Sequence, residues 1–166
     1  MSFYGLVDGS DASLKSYLNN LSGVDQVGAE ARAAMLATRS IKTSSKRWAI
    51  ETAITMVDLT TLEGADTPGK VKALCTKAVR PDPTDSTVPS VGAVCVYNDM
   101  VSVARTHLDL IGGQHVPVAA VSTAFPSGRA SMPVKIQDTQ DAIDAGAAEI
   151  DMVIDRGAFL AGRYID

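Results

Sequence analysis

The sequence predicts an α/β fold built on a parallel sheet, and three observations support this prediction. Short runs rich in β-branched residues recur along the chain, longer segments with helical periodicity follow them, and turn residues lie between the two. Strands that alternate with helices are joined by right-handed crossovers, which make neighbouring strands parallel and place the helices outside the sheet. We therefore expect a layered α/β domain.

A helical segment precedes the first strand. The apolar residues of "SDASLKSYLNNLSG" share one helical face, namely Leu14, Tyr17, Leu18 and Leu21. The following "GAEARAAMLATRS" is rich in strong helix formers. The helical pattern continues to residue 53, and we predict that residues 1–50 form a helical extension.

The first predicted strand is "AITMVDLTTL" (53–62), and a helix follows it. Thr67 can cap this helix and Pro68 occupies its first position, where a missing N–H costs nothing. Its apolar face consists of Val71, Leu74 and Cys75. The loop "PDPTDSTVPS" then leads to the second strand.

The second predicted strand is "VGAVCVY" (91–97). We expect Asn98 or Asp99 to cap the next helix, which ends at Gly112 and Gly113. Both side chains are of the type that accepts hydrogen bonds from the first helical N–H groups.

The third predicted strand is "VPVAAVSTAF" (116–125), and the fourth is "EIDMVID" (149–155). Between them, the helix "MPVKIQDTQDAIDAGA" stops near Gly146. The predicted order is therefore βαβαβαβ.

Two architectures fit this order. A doubly wound sheet usually carries a Gly-rich phosphate loop after its first strand, but the loop "LEGADTPGK" has neither GxGxxG nor GxxxxGK[ST]. A barrel allows polar side chains to point inward near the carboxyl ends of its strands, where TIM-barrel enzymes keep their active sites. Strand periodicity distinguishes the two further.

Side chains alternate between the faces of a strand, so Asp58 and Thr60 share one side of the first strand. Asp151 shares one side of the fourth strand with Glu149 and Val153. The opposite sides are wholly or mainly apolar and would face the helices. We expect Asp58 and Asp151 to face the interior of a barrel and to converge there.

Asp151, within "AAEIDMVIDR", is the strongest candidate for chemistry. A carboxylate buried in an apolar strand stays ionised only when a cation or several donors compensate it. Asp58 can bind substrate hydroxyls or orient a lysine, or it can simply accept a hydrogen bond from Thr60 or Thr61.

The remaining polar candidates are weaker. Cys95 and Tyr97 lie on one face of the second strand, where they either line a pocket or pack in the core. By residue type alone, Thr60 and Thr123 fit ordinary strand residues. His107 and His115 lie away from the strand ends.

Composition excludes several classes of protein. The 166 residues are 46% hydrophobic, and a net charge of −4 with a pI near 5.1 provides no basic surface for nucleic acid or an anionic membrane. No apolar stretch reaches the roughly 20 residues that span a bilayer, and no secretory signal is visible. The two cysteines show no CxxC spacing, so we predict reduced buried thiols, no metal site and a cytoplasmic protein.

Several segments resemble one known family. "MVDLTTLEGADTPGKVKALCTKA" (56–78), "VGAVCVY", "VAAVSTAFPSGR" (118–129) and "AIDAGAAEIDMVIDRGAFLAG" (142–162) look like the first four βα segments of deoxyribose-phosphate aldolase. The resemblance covers residues 50 to 166. It implies a TIM (β/α)8 barrel, of which residues 51–166 supply the first half, with strands 1 to 4.

The resemblance implies a class I lyase without metal or cofactor, acting in deoxyribose phosphate and nucleotide catabolism. Such an enzyme cleaves 2-deoxy-D-ribose 5-phosphate to D-glyceraldehyde 3-phosphate and acetaldehyde through a lysine Schiff base. Asp151 matches the proton-relay aspartate, Asp58 and Thr60 match positions beside the substrate, and Cys95 matches a pocket-lining cysteine. Asn98 departs from the usual proline.

The family carries its Schiff-base lysine on the sixth strand, a second lysine on the seventh, and its phosphate-binding loops after the seventh and eighth. These elements are expected beyond residue 166, so the resemblance implies that the isolated chain is inactive. Lys42 in "IKTSS" resembles the lysine stretch of the family, but it precedes the first strand and follows a helical segment. We do not expect it to be the nucleophile.

The expected partner is a small sugar phosphate. A half barrel would also expose the edges of its first and fourth strands, which favours a homo-oligomer or pairing with the missing barrel half. Two alternatives stay open. One is another lyase or isomerase barrel for phosphorylated sugars, and the other is a non-catalytic α/β assembly module.

Overall fold

The computed structural model describes residues 10–165. The chain divides into two compact units, one of residues 1–43 with 155–166 and one of residues 44–154. The predicted division at residue 50 stays a prediction, and the contacts group residues 44–50 with the sheet. Within residues 10–165, no helix is both long and apolar enough to cross a membrane.

The first unit contains three helices in its described part, which are α1 (Asp11–Asn19), α2 (Gln26–Ala37) and α7 (Arg156–Leu160). The hydroxyl of Ser10 caps α1 by accepting from the backbone N–H of Ser13 at 3.1 Å. Because α1 ends at Asn19, Leu21 lies outside the helix and is exposed. The prediction that Leu21 continues the apolar face of this helix is therefore wrong.

The second unit contains the sheet and the helices that pack on it. Its elements are α3 (Thr43–Thr55), β1 (Asp58–Thr60), α4 (Pro68–Val79), β2 (Ala93–Val96), a 3-10 turn (Asn98–Met100), α5 (Val101–Leu110), β3 (Val118–Ser122), α6 (Met132–Asp144) and β4 (Glu149–Met152). The strands are all parallel and lie in the order β1-β2-β3-β4. The α/β prediction is confirmed.

The first strand is shorter than the predicted run. Residues 53–55 belong to the end of α3, and the N–H groups of Met56 and Val57 then bond back to Ala53 and Ile54 in a turn, each at 3.1 Å. β1 begins only at Asp58. The β-branched residues before Asp58 had suggested a strand, but their backbone N–H groups bond to preceding helical residues, so they form the end of a helix and a turn.

The helices cover one face of the sheet. A single apolar cluster packs the sheet-facing sides of α3 to α6 against one face of the sheet. Its fully buried members include Val71, Cys75, Val94, Val96, Ala104, Leu108, Val118, Ala120 and Ala142. Within the second unit, the other face carries a separate small cluster, and none of its described members belongs to a helix. Helices on a single face fit a barrel segment and not a doubly wound sheet, whose helices cover both faces.

The capping predictions have mixed outcomes. Thr67 caps α4 as predicted, by accepting from the N–H of Lys70, with Pro68 at the first helical position. Neither Asn98 nor Asp99 caps α5, so that prediction is wrong: a 3-10 turn intervenes, and Met100 precedes the helix. The amide of Asn98 instead donates to Asp138 of α6.

Replacing Leu108 by Ala should lower the free energy of unfolding by about 2–5 kcal/mol, because the truncated side chain leaves a cavity in the core. Leu108 lies on the buried side of α5 and is 0% exposed, whereas Leu110 on the same helix is 80% exposed. Leu110→Ala is therefore the matched control, with an expected change within about 0.5 kcal/mol. Urea denaturation measures both, and equal effects would contradict this assignment of the core.

Candidate functional site

The face of the sheet opposite the helices carries the predicted polar residues. Strand register places Thr60 beside Cys95, and Asp151 beside Val121. Residues paired in register point to the same side of a sheet. Asp58, two residues before Thr60, therefore shares this side, which we call the site face. The predicted alternation is confirmed.

Cys95 and Asp151 are in direct contact across the site face. The thiol of Cys95 donates to Oδ2 of Asp151 at 3.3 Å, although 56 residues separate the two in the chain. Cys95 is 2% exposed and lies in the small apolar cluster of this face. The fold thus brings the predicted catalytic carboxylate to a predicted pocket residue.

The other three predicted residues, Asp58, Thr60 and Asp151, all contribute to the electrostatic environment of Cys95. Burial, the hydrogen bond to Asp151 and the charge of that carboxylate together raise the pKa of the Cys95 thiol to about 12, and burial is the largest of these causes. The charge of Asp58 also raises this pKa, while a hydrogen bond with Thr60 lowers it. Near neutral pH the thiol therefore stays protonated and acts as a donor.

The sequence had left open that the carboxylate of Asp58 accepts a hydrogen bond from Thr60 or Thr61, but both hydroxyls donate elsewhere. The hydroxyl of Thr60 donates to the backbone carbonyl of Asp58 at 2.8 Å. The hydroxyl of Thr61, which is buried, donates to Asp66 at 2.9 Å. The carboxylate of Asp58 is exposed on the site face.

Asp151 is exposed, so the expectation of a buried carboxylate is wrong for the described residues. β4 is an edge strand of the sheet, and water reaches its site face. Water solvates an exposed carboxylate, so the energetic argument for a compensating partner does not apply. What marks Asp151 is its contact with Cys95.

Sequence analysis missed Asp66, which shapes the loop after β1. Its carboxylate accepts from the Thr61 hydroxyl and from the N–H of Glu63, and it pairs with Lys70 on α4. Lys70 holds the pKa of the Asp66 carboxyl below its usual range. The signal available in the sequence was a carboxylate four residues before a lysine, at the start of the predicted helix.

A cavity of about 510 Å³ opens at the carboxyl ends of β2 and β3. Tyr97 and Phe125 line it, with ring centroids 6.2 Å apart in an edge-to-face arrangement, and both pack against the apolar cluster that contains Cys95. Tyr97 therefore lines a pocket, one of the two roles that the sequence had left open. Phe125 and the polar lining residue Asp138 were missed.

The weaker candidates have local structural partners. Thr123 bridges β3 and β4: its hydroxyl donates to the carbonyl of Val153 and accepts from the same residue's N–H, each at 2.8 Å. His107 bonds Thr76 at 3.1 Å, and His115 bonds Ser90 at 3.2 Å. Both histidines lie away from the site face, as expected.

Two further predictions concern cysteines and lysine. Cys75 and Cys95 are both free and buried, as predicted. Lys42 directly precedes α3 and is exposed. Among residues 10–165, no group of three or more His, Cys, Asp or Glu side chains is arranged to hold a metal ion.

Asp151→Asn should lower the pKa of the Cys95 thiol, because it removes the neighbouring negative charge that opposes the thiolate. Since only the thiolate reacts, alkylation of Cys95 by iodoacetamide at pH 9 should accelerate by roughly three- to tenfold. Peptide mapping by mass spectrometry follows both cysteines. Cys75 is the internal control because burial is the first cause of its raised pKa, and an unchanged Cys95 rate would contradict the contact.

These features define the class of protein first. A parallel sheet with helices on one face, and two carboxylates on its other face, corresponds to part of an aldolase TIM barrel. A candidate deoxyribose-phosphate aldolase from Coccidioides immitis has a similar structure, with a TM-score of 0.60 and 29% identity, covering 70% of this chain and 42% of that one. The tetrameric deoxyribose phosphate aldolase from Aeropyrum pernix shares the fold at 20% identity, with a TM-score of 0.53 over 69% of this chain and 49% of its own.

The sequence relationship is more specific. The chain is a homologue of deoxyribose-phosphate aldolases: it is 36% identical to the mouse enzyme (Mus musculus) over 136 residues, which are 77% of this chain and 42% of the mouse protein. It therefore spans about two fifths of the length of that relative. No protein-family model matches the chain.

Proposed function

We propose that this chain forms the first half of the barrel of a deoxyribose-phosphate aldolase. The complete enzyme would cleave 2-deoxy-D-ribose 5-phosphate to D-glyceraldehyde 3-phosphate and acetaldehyde through a lysine Schiff base. The observation that carries the proposal is the contact between Cys95 and Asp151 on the site face, with Asp58 and Thr60 beside them. The homology supports the same reaction.

Asp151 is proposed as the proton relay. Formation of the imine requires protons to reach and leave the carbinolamine, and carbon–carbon cleavage requires the sugar hydroxyl to lose its proton. An exposed carboxylate at the carboxyl end of its strand can exchange protons with water and with the substrate. The thiol of Cys95 donates to one of its oxygens and so orients the group.

Asp58, Thr60 and Cys95 are proposed to bind the substrate. Asp58 offers a carboxylate that can accept from sugar hydroxyls, and Thr60 offers a hydroxyl on the same side. Cys95 contributes a neutral, buried wall, because its raised pKa keeps it protonated at neutral pH. The proposed substrate is thus recognised through its hydroxyl groups on this side of the barrel.

The Schiff-base lysine is proposed to come from the second half of the barrel. Such a lysine attacks the open-chain aldehyde as the free amine, and the protonated imine then takes up the electrons of the broken bond. In this arrangement the first half supplies the proton relay and part of the substrate pocket. The second half supplies the nucleophile and the phosphate contacts.

The same proposal includes pairing at the strand edges. β1 and β4 are the outer strands of the sheet. Two large apolar side chains are exposed near the end of β4: Met152, its last residue, is 64% exposed, and Ile154, two residues further on, is 50% exposed. Edges of this kind are covered by another strand or chain. We propose that the second barrel half covers them, or a second copy where that half is lacking, and that the enzyme is cytoplasmic.

The test uses the full-length protein with 2-deoxy-D-ribose 5-phosphate. We expect stoichiometric release of acetaldehyde and D-glyceraldehyde 3-phosphate without added metal. Conversion to an isomeric sugar phosphate without acetaldehyde would favour an isomerase barrel. No turnover would favour the assembly module.

A further inference from the structure

The carboxylate of Asp138, on α6, accepts hydrogen bonds from the ends of two neighbouring strands. Its Oδ2 accepts from the Ser122 hydroxyl and from the backbone N–H of Ala124, each at 3.3 Å. Its Oδ1 accepts from the side-chain amide of Asn98 at 3.0 Å, and the same amide donates to the backbone carbonyl of Asp138 at 2.7 Å. One helical residue thus ties together the segments that follow β2 and β3.

The segment after β3 needs such support because of its backbone conformation. Thr123 and Ala124 both have left-handed backbone angles, with φ of 62° and 63°. Residues with a Cβ adopt this region only when surrounding contacts impose it. The Thr123 hydroxyl bonds to Val153 on one side, and the Ala124 N–H bonds to Asp138 on the other.

Each segment held by Asp138 carries one ring of the aromatic pair. Tyr97 directly precedes Asn98, and Phe125 directly follows Ala124. The two rings meet edge to face and pack against the cluster that buries Cys95. Together they form what we call the aromatic wall, at the rim of the 510 Å³ cavity.

We propose that Asp138 is a positioning residue that holds the aromatic wall, Tyr97 and Phe125, against Cys95 beside Asp151. Through its bonds to both strand ends it sets the distance between the two rings, and so the shape of the site where the substrate would lie. The link to substrate rests on the proposed function. The position of the wall does not, because it follows from contacts within the chain.

The first experiment tests whether the aromatic wall is in place by measuring how well it protects the Cys95 thiol from labelling. In Asp138→Ala, labelling of Cys95 by iodoacetamide should rise at least about tenfold. The substitution removes the hydrogen bonds that the carboxylate accepts from both strand ends, so the aromatic wall opens locally and exposes the thiol. Cys75 lies in the separate cluster beneath the helices, and its labelling should stay within about twofold, since that core is not opened. Full-length protein is used, and peptide mapping separates the two thiols.

Asp141→Ala is the matched control. Asp141 lies one turn further along α6 and lines the same cavity, but its carboxylate accepts from Gln137 of its own helix at 2.7 Å. Removing it deletes the same charge without touching either strand end. We expect wild-type labelling of both cysteines.

Asn98→Ala provides a second variant in case Asp138→Ala exposes both thiols by general unfolding. It removes the link to β2 and leaves the bonds of Asp138 to Ser122 and Ala124 in place. We expect a selective but smaller rise in Cys95 labelling. Two combinations of results would overturn the proposal, and in both of them Cys95 keeps its wild-type protection in Asn98→Ala. In the first, Cys95 is also protected as in the wild type in Asp138→Ala. In the second, Asp138→Ala exposes both thiols without selectivity.

The kinetic measurement connects the wall to the substrate. If the full-length protein cleaves 2-deoxy-D-ribose 5-phosphate, Asp138→Ala should raise KM by about tenfold and change kcat less, because the wall binds substrate without taking part in proton transfer. A KM equal to that of Asp141→Ala would refute this role. If the wild type has no aldolase activity, the proposed function fails, whereas thiol labelling still decides whether Asp138 positions the wall.

Discussion

Replacing Asp151 by Asn in the full-length protein is expected to lower kcat for cleavage of 2-deoxy-D-ribose 5-phosphate by roughly 10²- to 10⁴-fold. Asn keeps the size and the hydrogen-bonding geometry of the side chain but cannot accept or release a proton at neutral pH. The contact with the Cys95 thiol can persist, because the amide oxygen still accepts. The loss therefore reports proton transfer and not collapse of the pocket.

Asp99→Asn is the control for this experiment. Asp99 is an exposed carboxylate in the 3-10 turn after β2, at the same end of the sheet. Its replacement by Asn therefore removes the same charge as Asp151→Asn. Its kcat should stay within about threefold of the wild type, because changes of exposed charge act weakly on a distant proton transfer. Near-normal turnover in Asp151→Asn would refute the proton-relay role, whatever the control shows.

The second large effect concerns imine formation. When the isolated 166-residue chain is mixed with 2-deoxy-D-ribose 5-phosphate and borohydride, we expect no saturable covalent adduct, whereas the full-length protein should be trapped at one lysine. A Schiff base needs an unprotonated amine held near the reacting carbonyl. Lys42, the residue that most resembles the nucleophile in sequence, is exposed and precedes α3.

Intact mass spectrometry measures the adduct, and the denatured chain gives the background from nonspecific reaction of exposed lysines. Lys42→Arg provides a further control, because it should leave the trapping of the full-length protein unchanged. A single saturable adduct on the 166-residue chain, above the denatured background, would overturn the mechanism. Its disappearance in Lys42→Arg would identify Lys42 as the nucleophile after all.

The fold could be predicted from the chain because its signals are local. Alternation of β-branched and helical segments predicts a parallel sheet, and Thr67 followed by Pro68 marks the start of α4 correctly. The boundaries were less accurate where two local preferences compete, as at Ala53 to Thr55, which complete α3 instead of beginning a strand. Asn98 failed as a cap because a 3-10 turn separates it from the start of α5, and its amide N–H instead donates to Asp138 in α6, 40 residues away.

The sequence by itself determined that Asp58, Thr60 and Asp151 share the site face, because side chains alternate along a strand and the opposite sides of the first and fourth strands are wholly or mainly apolar. Only the tertiary structure decided what these groups contact. The bond between Cys95 and Asp151 depends on the register of three strands, β2, β3 and β4, and the exposure of Asp151 depends on its place in an edge strand. The same holds for Asp138, since hydrogen bonds between distant elements leave no periodic pattern along the chain.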